Sequence, residues 1–185
     1  GPRSFRASQA RAIAELAENH AGGHGPIVGE GATAISENAP GFVAHLVQVH
    51  VDPDTGHVKP LKYLAVQDVG FALNPMLVEG QIHGGVAQGL GWALHEAMVY
   101  DDNGQLLTAS FMDYSVPGGD ALPDIDVVMV ENKAPHGPFG ARGIGEPPIT
   151  AGAAAVANAV RAAVGARVCD LPLRDERVWR AIHQA

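Results

Sequence analysis

The chain has 185 residues, 46% of them hydrophobic, and a formal net charge of −8. That is enough for one domain with a core, and a negative balance without clustered Lys and Arg excludes nucleic acid as the expected partner. No run of about 18 apolar residues is present to span a membrane, and a lone cysteine, Cys169, rules out an internal disulfide or an iron–sulfur cluster held by this chain alone.

In chain order, Ser8 followed by Ala12, Ile13 and Leu16 predicts a capped helix over 8–19. The stretch 20–31 is glycine-rich but lacks the strand and spacing of a dinucleotide fingerprint, so it reads as linker. Val43, Val47, Val49 and Val51, the turn Asp52-Pro53-Asp54-Thr55-Gly56, and then Leu61, Tyr63, Ala65 and Val69 predict a hairpin. His45, His50 and His57 fall at strand or turn positions expected to face solvent or a partner. A second hairpin is expected about Asp102-Asn103-Gly104, a strand at 125–130 after an acidic, proline-broken and exposed stretch at 120–126, an alanine-rich helix at 149–164 and a short helix at 175–182. Cys169, between Val168 and Asp170, reads as a buried structural thiol. The economical expectation is a single α+β domain over 1–185, with a helix and linker in 1–40 and the main core in 41–185. Aromatics make up only 5% of the chain, so that core is expected to draw some of its burial from neighbouring chains.

Two segments carry more information. Over 74–97, Val78, Ile82, Val86, Leu90 and Leu94 recur every four residues and predict one long helix with an apolar stripe. That helix also holds Gly80, Gly84, Gly85, Gly89 and Gly91. At ~0.8–1 kcal/mol each they cost about 4–5 kcal/mol of intrinsic helix preference, which something must offset. The candidates are close approach of another backbone, or of a flat ligand met by Gln81 and Gln88. Further on, Gly143-Ile144-Gly145-Glu146-Pro147-Pro148 places one carboxylate where a glycine loop meets a helix start. Glu146 is expected on a kink, since the residue before a proline is pushed out of helical geometry. Its charge suits either the positive end of the helix dipole or the work of a base. Nine histidines are scattered without a metal-ligand pattern, although His83, on the long helix, lies within possible reach of a ligand there.

Taken in order, Asn74-Pro75-Met76-Leu77-Val78-Glu79-Gly80-Gln81, Gly84-Gly85-Val86-Ala87-Gln88-Gly89-Leu90-Gly91, Leu106-Leu107-Thr108 with Met112-Asp113-Tyr114, Gly143-Ile144-Gly145-Glu146, and Leu171-Pro172-Leu173 resemble the molybdenum-binding large subunit of the xanthine dehydrogenase and aldehyde oxidase family. The resemblance runs from about Phe42 onward and implies the carboxy-terminal part of a longer molybdopterin-binding subunit, because the family's earlier glycine-rich cofactor loops are not found. Existence as a separate subunit, a processed product or an excised piece is compatible with it.

The same resemblance implies a molybdenum-pterin cofactor shared with the rest of the subunit. The metal is held by sulfurs of the pterin and needs no protein ligand. Iron–sulfur clusters and FAD are implied on partner chains or domains, in an iron–sulfur subunit and a flavin subunit. Glu146 takes the role of catalytic base, Gln81 that of a pterin contact, and Gly143 and Gly145 let the loop approach the cofactor. The implied reaction hydroxylates an aldehyde or N-heterocycle carbon with water-derived oxygen. The alternative is a non-catalytic scaffold or assembly module of the same fold, against which the intact Gly-x-Gly-Glu segment counts. With no basic and apolar leader, the expected location is the cytoplasm, or the periplasm through a partner's signal.

Overall fold

A computed structural model describes residues 37–184, so the helix expected over 8–19 and the loop over 20–31 lie outside the described residues. The described part runs β1 (Val43–Val51), β2 (Val58–Asp68), α1 (Pro75–Leu94), β3 (Asp124–Val130), α2 (Pro147–Thr150), α3 (Gly152–Val164) and α4 (Asp175–His183). The expected mix of helices and sheet is therefore present.

The sheet has the order β1-β2-β3. β1 and β2 form the predicted antiparallel hairpin, with Val47 opposite Tyr63 and a bulge between Gln48 and Val49, whereas β3 joins β2 in parallel after the long connection through α1. The hairpin turn is closed by the backbone of Asp52 and Gly56 and by the Asp52 carboxylate, which accepts from Asp54 N at 2.9 Å. Gly56 has φ +80, and a Cβ there would lie 2.1 Å from Asp175 O, so this corner packs directly on α4.

Alternation along β1 puts Val43, His45, Val47, Val49 and Val51 on the inner face and Ala44, Leu46, Gln48 and His50 outside. His45, expected to face solvent or a partner, lies instead on the inner face: period-two alternation places it beside the valines, where its Nδ1 shares a 2.9 Å hydrogen bond with the Tyr63 hydroxyl. Leu61 departs the other way and is exposed. The second hairpin reduces to one antiparallel bridge, Tyr100 to Leu106, because the Asp101 carboxylate takes the amides of Asn103 and Gln105 and closes a tight turn without extended strands. Cys169 is exposed, contrary to the expected buried thiol, since it lies in the irregular link between α3 and α4.

α1 forms as its spacing predicts. Asn74 caps it by accepting Leu77 N at 3.2 Å, and Pro75 occupies the first turn, where its missing N–H costs nothing. Ile82, Val86 and Leu90 are fully buried in a core shared with Tyr63, Val156, Val160, Leu173 and Val178. At about 1.5–3 kcal/mol for each buried aliphatic side chain, these three alone offset the glycine cost. Two of the glycines also serve the packing. A Cβ on Gly85 would lie 2.5 Å from Pro148 Cβ, and one on Gly89 would lie 3.0 Å from Gly152 Cα, so α1 meets α2 and α3 almost backbone to backbone.

Candidate active site

Helix α1 is glycine-rich on two sides that do different things. Gly85 and Gly89 face the helices of the core, whereas a Cβ added to Gly80 or Gly84 would meet nothing within 4 Å. Gln81 and Gln88 are exposed on the same helix. At the start of α1, the end of β2 and the loop beyond residue 140 converge on a cleft of about 210 Å³ lined by Val69, Phe71, Leu77, Gln81, Arg142 and Ile144. Gln81 and the Gly143–Glu146 loop, 62 or more positions apart in sequence, thus share one neighbourhood through Ile144.

Glu146 stands at the N-cap of α2, an expected position, but its φ of −111 and ψ of −24 are helical rather than extended. The two prolines that follow continue the turn, and Ile149 N donates to Glu146 O at 3.0 Å, which draws the residue into the helix. The Glu146 side chain makes no capping hydrogen bond. It is exposed, and the salt bridges of the described residues do not include it. α2 is only four residues long, so its dipole gives little reason for a carboxylate at this point. Gly143 and Gly145 are exposed, and a Cβ at either would meet open space.

Two residues outside the sequence-derived set build this site. Asp68 ends β2, and Arg142 immediately precedes Gly143; the two form an ion pair with Arg142 Nε 3.2 Å from Asp68 Oδ2, the Arg142 side chain 8% and the Asp68 side chain 10% exposed. An arginine beside a glycine loop and an aspartate at a strand end were the signals available, though neither identifies the other. His83 is turned from the cleft to the sheet, where Nε2 lies 3.2 Å from Ile125 O. Tyr114 of the Met112-Asp113-Tyr114 motif donates to Glu96 Oε2 at 2.7 Å, beyond the far end of α1. That motif is therefore not part of the cleft.

The cleft is lined mainly by apolar side chains, with Gln81 at its edge, and this surface would suit a flat ring with a polar rim. Amide side chains at Gln81 and Gln88 offer both donors and acceptors, and the open faces at Gly80, Gly84, Gly143 and Gly145 admit close approach to backbone. Among the described residues no group of three or more His, Cys, Asp and Glu is arranged to hold a metal ion, and no helix is long and apolar enough to cross a membrane.

Residues 3–123 match the model of the molybdopterin cofactor-binding domain, a span that includes Gln81 and ends before the Glu146 loop. The chain is 40% identical over 137 residues to the gamma subunit of the 6-hydroxypseudooxynicotine dehydrogenase complex of Paenarthrobacter nicotinovorans, covering 72% of this chain and 17% of that protein. It is 37% identical over 162 residues to the xanthine dehydrogenase molybdenum-binding subunit of Escherichia coli, covering 87% and 22%. Among solved structures, the aldehyde oxidoreductase of Desulfovibrio desulfuricans superposes with a TM-score of 0.71 at 40% identity, over 76% of this chain and 15% of that one. The chain thus spans roughly a fifth of the length of the curated relatives it matches. On the matched span and the shared fold, the chain belongs to the molybdopterin cofactor-binding domain family of the molybdenum hydroxylase large subunits.

Proposed function

We propose that this chain is a component of a molybdenum-pterin oxidoreductase that hydroxylates an aldehyde or N-heterocycle carbon with water-derived oxygen, and that Glu146 is its base. The observation that carries the reading is a carboxylate at the start of α2 that neither caps the helix nor joins a salt bridge among the described residues. Its neighbours Gly143 and Gly145 leave the approach open. The relatives named above support the reaction class, and the cleft supports Gln81 as a contact of the pterin.

When bound, the cofactor supplies the two-electron chemistry of the oxidation. The part played by this chain is acid–base and positional. Glu146 accepts the proton released as the new carbon–oxygen bond forms, a task worth about 10²–10⁴ in rate for a well-placed base. The Gln81 amide would hold the polar rim of the ring system, and the glycine loop, with open space at Gly143 and Gly145, would admit the cofactor close to its backbone. Iron–sulfur clusters and FAD, on an iron–sulfur subunit and a flavin subunit or on further domains, would take the electrons onward.

Glu146→Gln tests the assignment in the assembled enzyme. A neutral amide cannot accept the proton, so molybdenum content stays at the wild-type level while turnover falls by about 10²-fold or more. Turnover within about tenfold of wild type would refute the base role.

A further inference from the structure

The loop bearing Glu146 is bare, yet it is hung between two fixed points. On its downstream side, Pro148 is buried against Gly85 of α1. Upstream, Arg142 is held on several sides: its guanidinium pairs with the Asp68 carboxylate, Nε lying 3.2 Å from Oδ2, Nη1 donates to Pro40 O at 2.5 Å, Nε and Nη2 donate to Asn132 O at 3.3 and 3.1 Å, and its backbone N donates to Val69 O at 3.0 Å. Asp68 is held in turn, its Oδ1 accepting Gly70 N at 3.0 Å. Gly70 has φ +69, and a Cβ there would lie 2.2 Å from Gly140 O and 2.8 Å from Arg142 Cγ, so the strand-end turn and the loop touch at their backbones.

Although Arg142 lines the cleft, its guanidinium is engaged with Asp68, Pro40 and Asn132, which leaves its aliphatic stem as wall. That argues against an anion-binding role. A buried ion pair is also a weak source of net stability, because desolvation consumes most of the attraction, but its fixed geometry is well suited to holding one loop in one place.

We infer that Asp68 and Arg142 are a positioning pair, which fixes the upstream anchor of the Gly143–Glu146 loop so that the Glu146 carboxylate is held at a set height beside α1. The inference rests on the reading of Glu146 as base. A group that must meet its proton within hydrogen-bonding range tolerates little displacement, and misplacement by about 1 Å costs ~10²-fold in rate.

The test uses the intact molybdenum enzyme with Asp68→Asn, Arg142→Lys, Arg142→Gln and the Asp68→Asn/Arg142→Gln double variant, read by kcat and KM, molybdenum content, and amide hydrogen exchange over 140–146. Expected are unchanged molybdenum content, kcat lower by about 100-fold with KM within about threefold, and exchange over 140–146 faster by about tenfold while that of α1 is unaltered. The double variant falls no further than the worse single, because the pair acts as a unit. Arg142→Lys, which keeps the charge but loses the fork, is intermediate and remains informative if the glutamine variant does not fold. Unchanged exchange over 140–146 in folded Asp68→Asn and Arg142→Lys would overturn the proposal, as would accelerated exchange with wild-type kcat. Glu146→Gln, measured alongside, loses turnover without altering exchange. Full turnover in that variant would overturn the base reading and leave the anchoring of the loop standing on the exchange data.

Discussion

Tyr63 is 1% exposed and shares its hydroxyl with the half-buried His45, whose Nε2 is buried without a hydrogen-bond partner. Burial lowers the pKa of His45 from its usual 6.5 and pushes that of Tyr63 up to about 12. These shifts act at opposite ends of the pH scale. For His45 the folded value lies below the unfolded one, so its contribution is present above pH 6.5 and is lost as acid protonates the unfolded chain first. For Tyr63 the folded value lies above the unfolded one, so its contribution holds below pH 10 and is lost between there and about 12 as the unfolded phenol ionises first. The denaturation midpoint should therefore fall on acidification below the usual histidine range, and His45→Gln should flatten that limb while leaving the alkaline limb in place. Tyr63→Phe should do the reverse. Acid limbs of equal slope in wild type and His45→Gln would show that other groups carry the dependence.

At the scale of elements, α1 separates glycines that the four-residue period cannot tell apart. Gly84→Ala places its methyl in open space, so the substitution should raise stability by ~0.8–1 kcal/mol through helix propensity alone. Gly85→Ala drives a methyl to 2.5 Å from Pro148 and should cost about 1–3 kcal/mol as α1 and α2 are forced apart. Denaturant midpoints of the two single variants, one residue apart, check both signs. The period of Val78 to Leu94 made the helix legible because an apolar stripe is a property of the element itself. Which glycine meets a partner depends on where α2 and α3 lie, and that is not written in α1. The same division explains the rest of the site. The place of Glu146 at a helix start is legible from its glycines and prolines, which are local signals. The Asp68–Arg142 pair joins residues 74 positions apart and gave no pattern to read. Cys169 was misjudged because its apolar neighbours suggested a core, whereas the backbone there is an irregular link.

For the molecule as a whole, the outer face of the sheet is the part least explained by its own packing. Register puts Leu46 opposite Leu64 and Val66 opposite Val128, so outward side chains of all three strands adjoin, and Leu46, Val128 and Val130 are 62%, 46% and 43% exposed. Phe111 and Met112, between α1 and β3, are 90% and 95% exposed. Adjoining apolar exposure of this kind marks surfaces that other protein covers, and β1 and β3 each pair with β2 alone among the described residues, which leaves strand edges available as well. Against them stands a net charge of −8, whose mutual repulsion opposes close approach of two copies at low salt and is screened at ionic strengths of about 0.15 M, where the Debye length is ~8 Å. The isolated chain should therefore self-associate with rising concentration, and more so as salt is added. Leu46→Lys with Val128→Lys places two charges on the face without touching the inner core, so it should suppress association while the far-ultraviolet dichroism is preserved. Sedimentation of both forms across a concentration series at two salt levels decides the matter: a wild-type chain that stays monomeric at about 100 μM in high salt would show that this face is tolerated by the chain alone.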